Sequence, residues 1–169
     1  MSPGASEVAF AEPLKRFCGE VFGFTQEELY GPSSARERPS SRFTRPTGEP
    51  LTPRFALQTL GTEWGRNCDV DVWAKAGVAR ARALMAMTGE RRCVITDLRF
   101  VNEARLVLEA GGEVWRVRRG VVPVLAHLHE SESGVWSTEM TALVTREIDN
   151  SGTLEQLAEA VRSALADST

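Results

Sequence analysis

Short apolar runs alternate along this chain with stretches of helical periodicity, and that alternation restricts the fold more than any other feature. Residues 7–11 read as a short buried strand, and Pro13 then opens a helix in which Leu14, Phe17, Cys18, Val21 and Phe22 recur at helical spacing before Gly23 stops it. Residues 93–96 form a compact apolar strand ending on Asp97, residues 102–110 the next helix, closed by Gly111 and Gly112, and residues 113–117 a further strand. Thr153 and Gln156 make a capping box before a last helix with Leu154, Leu157, Val161 and Leu165 on one face. Strands that alternate with helices predict an α/β fold with a parallel sheet covered by helices on both faces.

Two further helices are expected between these strands. Thr52 followed by Pro53 is a strong helix start, with Gly61 as its stop. Residues 71–88 give a longer helix with Val72, Ala76, Ala79, Ala83 and Met87 in one stripe and Lys75 and Arg82 off it. Residues 31–50, rich in Pro, Ser, Arg and Thr, are expected to be a mobile loop rather than core. No internal repeat is present, and residues 1–169 read as a single domain.

Composition narrows the class of partner. With 42% hydrophobic and 25% charged residues the chain can bury a core, and its net charge of -3 gives no global attraction to nucleic acid or anionic membranes. Three cysteines, Cys18, Cys68 and Cys93, without CxxC spacing argue against a disulfide framework or zinc site and for a reduced, cytoplasmic setting. No apolar run reaches the roughly 18 residues of a membrane span, and residues 1–7 are too polar for a signal peptide. Of the 20 basic residues only Lys15 and Lys75 are lysines.

Several side chains sit where a parallel sheet would present a ligand. Ligands lie beyond the carboxyl ends of the strands, which is where Asp97 and Arg99 fall, a carboxylate suited to Mg²⁺ or water and a guanidinium suited to phosphate. The alternative is that Asp97 caps the next turn and Arg99 pairs with it. Arg54 and Gln58, four apart, share a helix face and could offer a guanidinium to phosphate and an amide to a base edge. Trp64 nearby reads more naturally as a core anchor. Arg116, Arg118 and Arg119 end a strand, either as phosphate ligands or as a solvated basic strand end. His127 and His129 with Glu130 and Glu132 do not by spacing alone make a metal site, and none is assigned.

The strings TPRFALQTLGTEWGR at 52–66 and VITDLRFVNE at 94–103 resemble the deoxynucleoside monophosphate kinases of tailed phages and prophages. FAEPLK at 10–15, the H-x-S-E pattern of His129, Ser131 and Glu132, and IDNSGTLEQL at 148–157 extend the likeness to nearly the whole chain, with Val101 standing where relatives often have proline. The resemblance implies a P-loop-kinase-like three-layer α/β/α fold with a mostly parallel sheet. It also implies transfer of the γ-phosphoryl of ATP, with Mg²⁺, to a deoxynucleoside monophosphate. On that reading Lys15, Arg54, Gln58, Trp64, Arg66 and Asn102 lie on the substrate side, Asp97 and Arg99 line the phosphoryl path, and Arg116, Arg118 and Arg119 serve a lid-like region at 118–140. A homodimer stays open.

One departure is large. The family opens with a central strand and a G-x-x-x-x-G-K-[ST] phosphate loop, whereas no Gly-Lys pair occurs in these 169 residues. A βα unit of roughly 25 residues is expected ahead of Val8 in a complete member. A start codon set too far downstream, a degenerate prophage remnant, or a nucleotide-binding module without catalysis would each explain the difference. The chain by itself is expected to be inactive as a kinase. The strands at 93–96 and 113–117 should then flank the missing one and not pair directly with each other.

Overall fold

A computed structural model describes residues 5–120 and 134–167. The chain is mixed α/β and divides after Asp97 into two compact units, each built on one small parallel sheet. His127, His129, Glu130, Ser131 and Glu132 fall outside the described residues.

In the first unit β1 (Ala5–Val8) pairs in parallel with β2 (Arg92–Ile95), Ala5 opposite Arg92 and Val8 opposite Ile95. Both strands begin and end slightly earlier than the apolar runs suggest, because the ends of those runs, Phe10 and Thr96, belong to the connections. Helix α1 (Glu12–Phe22) carries Pro13 in its first turn and stops at Gly23, whose φ of 66° is the left-handed conformation a glycine adopts without strain. The short α2 (Gln26–Tyr30) starts on a capping box between Thr25 and Glu28.

The segment 31–50 is more structured than its composition suggests. It contains α3 (Ser33–Arg36), a fully buried Ala35 and an antiparallel bridge from Thr44 to Pro50, and Phe43 packs on the core. Sparse apolar content hid this, since one alanine and one phenylalanine suffice to seat it.

Helix α4 (Pro53–Gln58) is capped by Thr52, whose hydroxyl accepts the Phe55 N–H. The expected stop at Gly61 does not occur. The helix widens instead into a π-helix, Thr59–Gly65, and resumes as α5 (Arg66–Cys68). Gly61 and Gly65 are both buried, so their lack of a side chain serves packing and not termination. A Cβ at Gly61 would press on Leu14 at 3.3 Å, and one at Gly65 would overlap the Trp73 indole. The unit's core joins Cys18, Phe24, Leu29, Leu51 and Ala56 from α1, α2, α4 and the connections between them.

Helix α6 (Val72–Thr88) ends at Gly89 as a left-handed cap. Its buried stripe is Ala74, Gly77 and Ala81, which replaces the expected Val72, Ala76, Ala79, Ala83 and Met87, and Met87 is 82% exposed. Small residues lie all round this helix, so hydrophobic spacing does not select a face. Shape does, because Phe10 seats its ring directly against Gly77, where a Cβ would not fit.

In the second unit α7 (Val101–Glu109) precedes β3 (Trp115–Arg118), which runs parallel to β4 (Arg146–Asp149) with Trp115 opposite Arg146. A short 3-10 turn, Gly134–Trp136, leads into α8 (Thr138–Leu143), and α9 (Leu154–Asp167) follows β4. Ala104, Val114 and Met140 form the core, with Leu98, Val101, Val107, Leu108, Leu143 and Val144 around them. Thr153 and Gln156 make the capping box expected of them, each accepting the other's backbone N–H at 3.3 and 2.8 Å. The strands at 93–96 and 113–117 thus belong to different sheets. Among the described residues no helix is long and apolar enough to cross a membrane.

Candidate functional site

Asp97 sits just past β2, where a parallel sheet presents its ligand-binding groups. Its carboxylate is engaged by backbone, with Oδ1 accepting the Phe10 N–H at 2.7 Å and Oδ2 the Ala11 N–H at 2.9 Å. These donors immediately precede α1, so Asp97 completes the start of a helix whose own N-cap, Ala11, has no side chain able to do it. The alternative reading, a local cap of the next turn by Asp97, is not realised, since its bonds run across 86 and 87 residues and the Arg99 and Phe100 N–H groups go to Glu103.

Lys15 leaves α1 half-buried with its ammonium over the Tyr30 ring, 4.4 Å from the centroid. Arg54 extends from α4 and its Nε pairs with the Glu37 carboxylate, both side chains being substantially exposed. Gln58 is exposed at the end of the same helix. α1 meets the segment after α4 through Leu14 on Gly61, so the elements bearing Lys15 and Arg54 share one core.

Trp64 is 58% exposed within the π-helix and is not the core anchor that its size suggested. Trp73 takes that role, its Nε1 donating to the Gly61 carbonyl at 2.8 Å while its ring covers Gly65. The signal in the sequence was the pair of glycines four apart, which leaves room for one large ring. Arg66 opens α5.

In the second unit Arg99 is exposed and its position is set through its backbone. Glu103, 5% exposed, accepts the N–H groups of Arg99 at 2.8 Å and Phe100 at 3.0 Å with a single carboxylate oxygen. Asn102 is half-buried in the first turn of α7. Arg116 is 7% exposed and held in packing, with its Nε buried and without a hydrogen-bond partner among the described residues. It pairs with Glu147 at 3.1 Å, donates to the Val135 carbonyl and Thr141 Oγ1 at 3.0 Å each, and stands over Trp136. Arg118 and Arg119 are exposed at the strand end. Asp149, opposite Arg118 on β4, is held below the usual carboxylate range by hydrogen bonds from Ser151 and by the Arg118 charge.

The residues expected on the substrate side, Lys15, Arg54, Gln58, Trp64 and Arg66, fall with Asp97 in the first unit, and Arg99, Asn102, Arg116, Arg118 and Arg119 in the second. Among the described residues no three His, Cys, Asp or Glu side chains come together to hold a metal.

A protein of Acanthamoeba polyphaga mimivirus bearing the name "Putative deoxynucleotide monophosphate kinase" is 31% identical to this chain over 138 residues, covering 76% of the chain and 69% of the relative. No protein-family model matches the chain.

Proposed function

The chain belongs to the deoxynucleotide monophosphate kinase family, and we propose that its residues serve the acceptor side of the reaction, holding a deoxynucleoside monophosphate for phosphoryl transfer. The likeness over more than two thirds of the mimivirus relative is the observation that carries this reading. Lys15 and Arg54 meet the phosphate, Gln58 offers its amide to the base edge, and Trp64 and Arg66 border the pocket.

The ion pair of Arg54 with Glu37 does not oppose this role. Exposed pairs contribute about 0–1 kcal/mol, whereas a bidentate guanidinium–phosphate contact contributes about 1.5–3 kcal/mol. An arriving phosphate therefore displaces Glu37 at a net gain.

In the family reaction Mg²⁺ and ATP supply the transferred phosphoryl group and the charge neutralisation it needs. The described residues do not fit Mg·ATP. The sequence has no Gly-Lys pair to cradle β- and γ-phosphates, both oxygens of Asp97 are held by backbone N–H groups, and among the described residues no acidic cluster stands ready for the ion. No step through ATP is assigned to them. The missing Gly-Lys pair also favours a second reading, a nucleotide-binding module that retains the monophosphate side without transfer.

The test is calorimetric titration of the 169-residue protein with the four common deoxynucleoside monophosphates and with Mg·ATP, alongside a coupled assay for ADP release. Monophosphate binding without turnover is the expected result. Failure of all four monophosphates to bind would overturn the acceptor assignment, and ready turnover would overturn the account of the ATP side.

A further inference from the structure

Lys15 and Glu12 lie three apart on α1, a spacing at which a lysine and a glutamate reach each other across one helical turn. They do not pair. The Glu12 carboxylate instead accepts the Tyr30 hydroxyl at 2.9 Å, and the Tyr30 ring lies beneath the Lys15 ammonium at 4.4 Å from its centroid. Among the described residues Lys15 has no carboxylate partner, whereas the other lysine, Lys75, is paired with Asp69 at 2.6 Å. We propose that Tyr30 is a positioning residue that occupies Glu12 and supports Lys15, so that the ammonium stays free for the dianion of a phosphomonoester.

The physical argument has three parts. A cation over an aromatic face is attracted to it without being neutralised, so its charge remains available on the outward side. A lysine left to itself loses rotamer freedom when it binds, and a ring that holds the chain beforehand reduces that loss. The hydroxyl–carboxylate bond removes the nearest internal competitor for the ammonium. The frame beneath this cluster is itself fixed, because Asp97 holds the N–H groups of Phe10 and Ala11 at the start of the helix that carries both Glu12 and Lys15. Burial and the Glu12 charge push the Tyr30 hydroxyl above its ordinary range, so it stays a donor at neutral pH. Arg16 lies close enough to Tyr30 to act on that hydroxyl and adds positive potential beside it.

This inference rests on the assignment of Lys15 to the monophosphate side, and the test separates the two. Two lysines make the protein suited to reductive ¹³C-methylation, which keeps the charge and gives one signal per lysine besides the α-amino group. Lys15→Arg identifies the Lys15 signal. That signal should show the ring-current shift of Tyr30 and should move when each of the four deoxynucleoside monophosphates, or inorganic phosphate, is added. In Tyr30→Leu the half-saturating concentration should rise about two- to fivefold, and Glu12→Gln added to that variant should recover part of the loss by removing the competitor, the part owed to the ring remaining. Tyr30→Phe, which keeps the ring and frees Glu12, should weaken binding in the same direction. Tyr30 is 39% exposed, so these changes should leave the circular dichroism spectrum unaltered.

An unchanged half-saturation in Tyr30→Leu, or no recovery on adding Glu12→Gln, would overturn the proposal. If inorganic phosphate moves Lys15 in a Tyr30-dependent way and no monophosphate does, the role of Tyr30 stands and the monophosphate assignment falls. If neither moves Lys15, the role of Tyr30 falls, and calorimetry decides the acceptor assignment separately.

Discussion

Replacing Asp97 distinguishes a carboxylate that builds the site from one that performs its chemistry. Asp97→Ala removes two charge-assisted hydrogen bonds, at 2.7 Å to Phe10 and 2.9 Å to Ala11. Hydrogen bonds to a charged group contribute about 1.5–3 kcal/mol each, so the pair would reach about 3–6 kcal/mol if it were dry. Asp97 is half-buried, and water can reach part of what the substitution exposes. The expected loss is therefore about 2–4 kcal/mol, with the favourable placement of an anion at a helix start included. Asp97→Asn keeps one acceptor oxygen but turns an amide NH₂ toward the second N–H, so it should cost about 1–2 kcal/mol. Urea denaturation followed by circular dichroism measures both, and the midpoint should fall while the slope stays unchanged. If Asp97→Ala leaves stability within about 0.5 kcal/mol of the parent, the scale of an ordinary surface change, the anchoring role is refuted. A carboxylate reserved for a metal would show that silent outcome.

Gly65→Ala should destabilise by about 1–3 kcal/mol despite the better helix propensity of alanine, because its methyl displaces Trp73 from the Gly61 carbonyl; a rise in melting temperature would contradict this packing. Arg54→Ala should weaken monophosphate binding roughly 10- to 150-fold while leaving stability nearly unchanged, since only an exposed ion pair is lost; calorimetry and thermal melting read the two separately. Arg116→Ala should cost about 1–3 kcal/mol by taking the donor from the Val135 carbonyl, while the Thr141 hydroxyl keeps its bond to the Ser137 carbonyl, and equal stability would restore Arg116 to the pool of phosphate ligands. Burial pushes the Cys18 thiol up to about 11 from an ordinary 9.0, so the stability it contributes is complete below pH 9 and is lost as pH rises toward 11. At pH 8 a thiol reagent should therefore modify exposed Cys68 first and leave Cys18 untouched in the folded protein, whereas rapid labelling of Cys18 would refute its burial.

What could be read in the sequence was whatever its neighbours decide. Gly23 ends its helix, Thr52 caps α4, and Thr153 with Gln156 caps α9, because a cap is settled within a few residues. The buried face of α6 was not legible, since an alanine-rich helix looks apolar from every side and only the Phe10 ring selects Gly77. Gly61 misled because a glycine that yields space to Leu14 looks the same in sequence as one that ends a helix. The candidate site divides along the same line. Asp97, Arg54 and Lys15 stand out by position and by family likeness, but what each side chain touches depends on residues far along the chain. Tyr30 carries no motif, and its interest arises from folding α2 against α1.

The π-helix at Thr59–Gly65 makes spacing along this chain as informative as residue identity. A widened turn accommodates surplus residues that a regular helix would have to expel, and such turns arise naturally from a small insertion. Each residue of an α-helix advances by about 100° around the axis and each residue of the wider turn by less, so a deletion of one residue between Arg54 and Arg66 would let the regular hydrogen-bond pattern close with Arg66 kept on nearly the same side. Two relatives whose counts between the same arginines differ by one would therefore aim those arginines alike, one through a widened turn and the other through a regular one. For this segment, a one-residue gap in an alignment marks where the turn widens, and a comparison that took the gap for a change of phase would misplace Arg66.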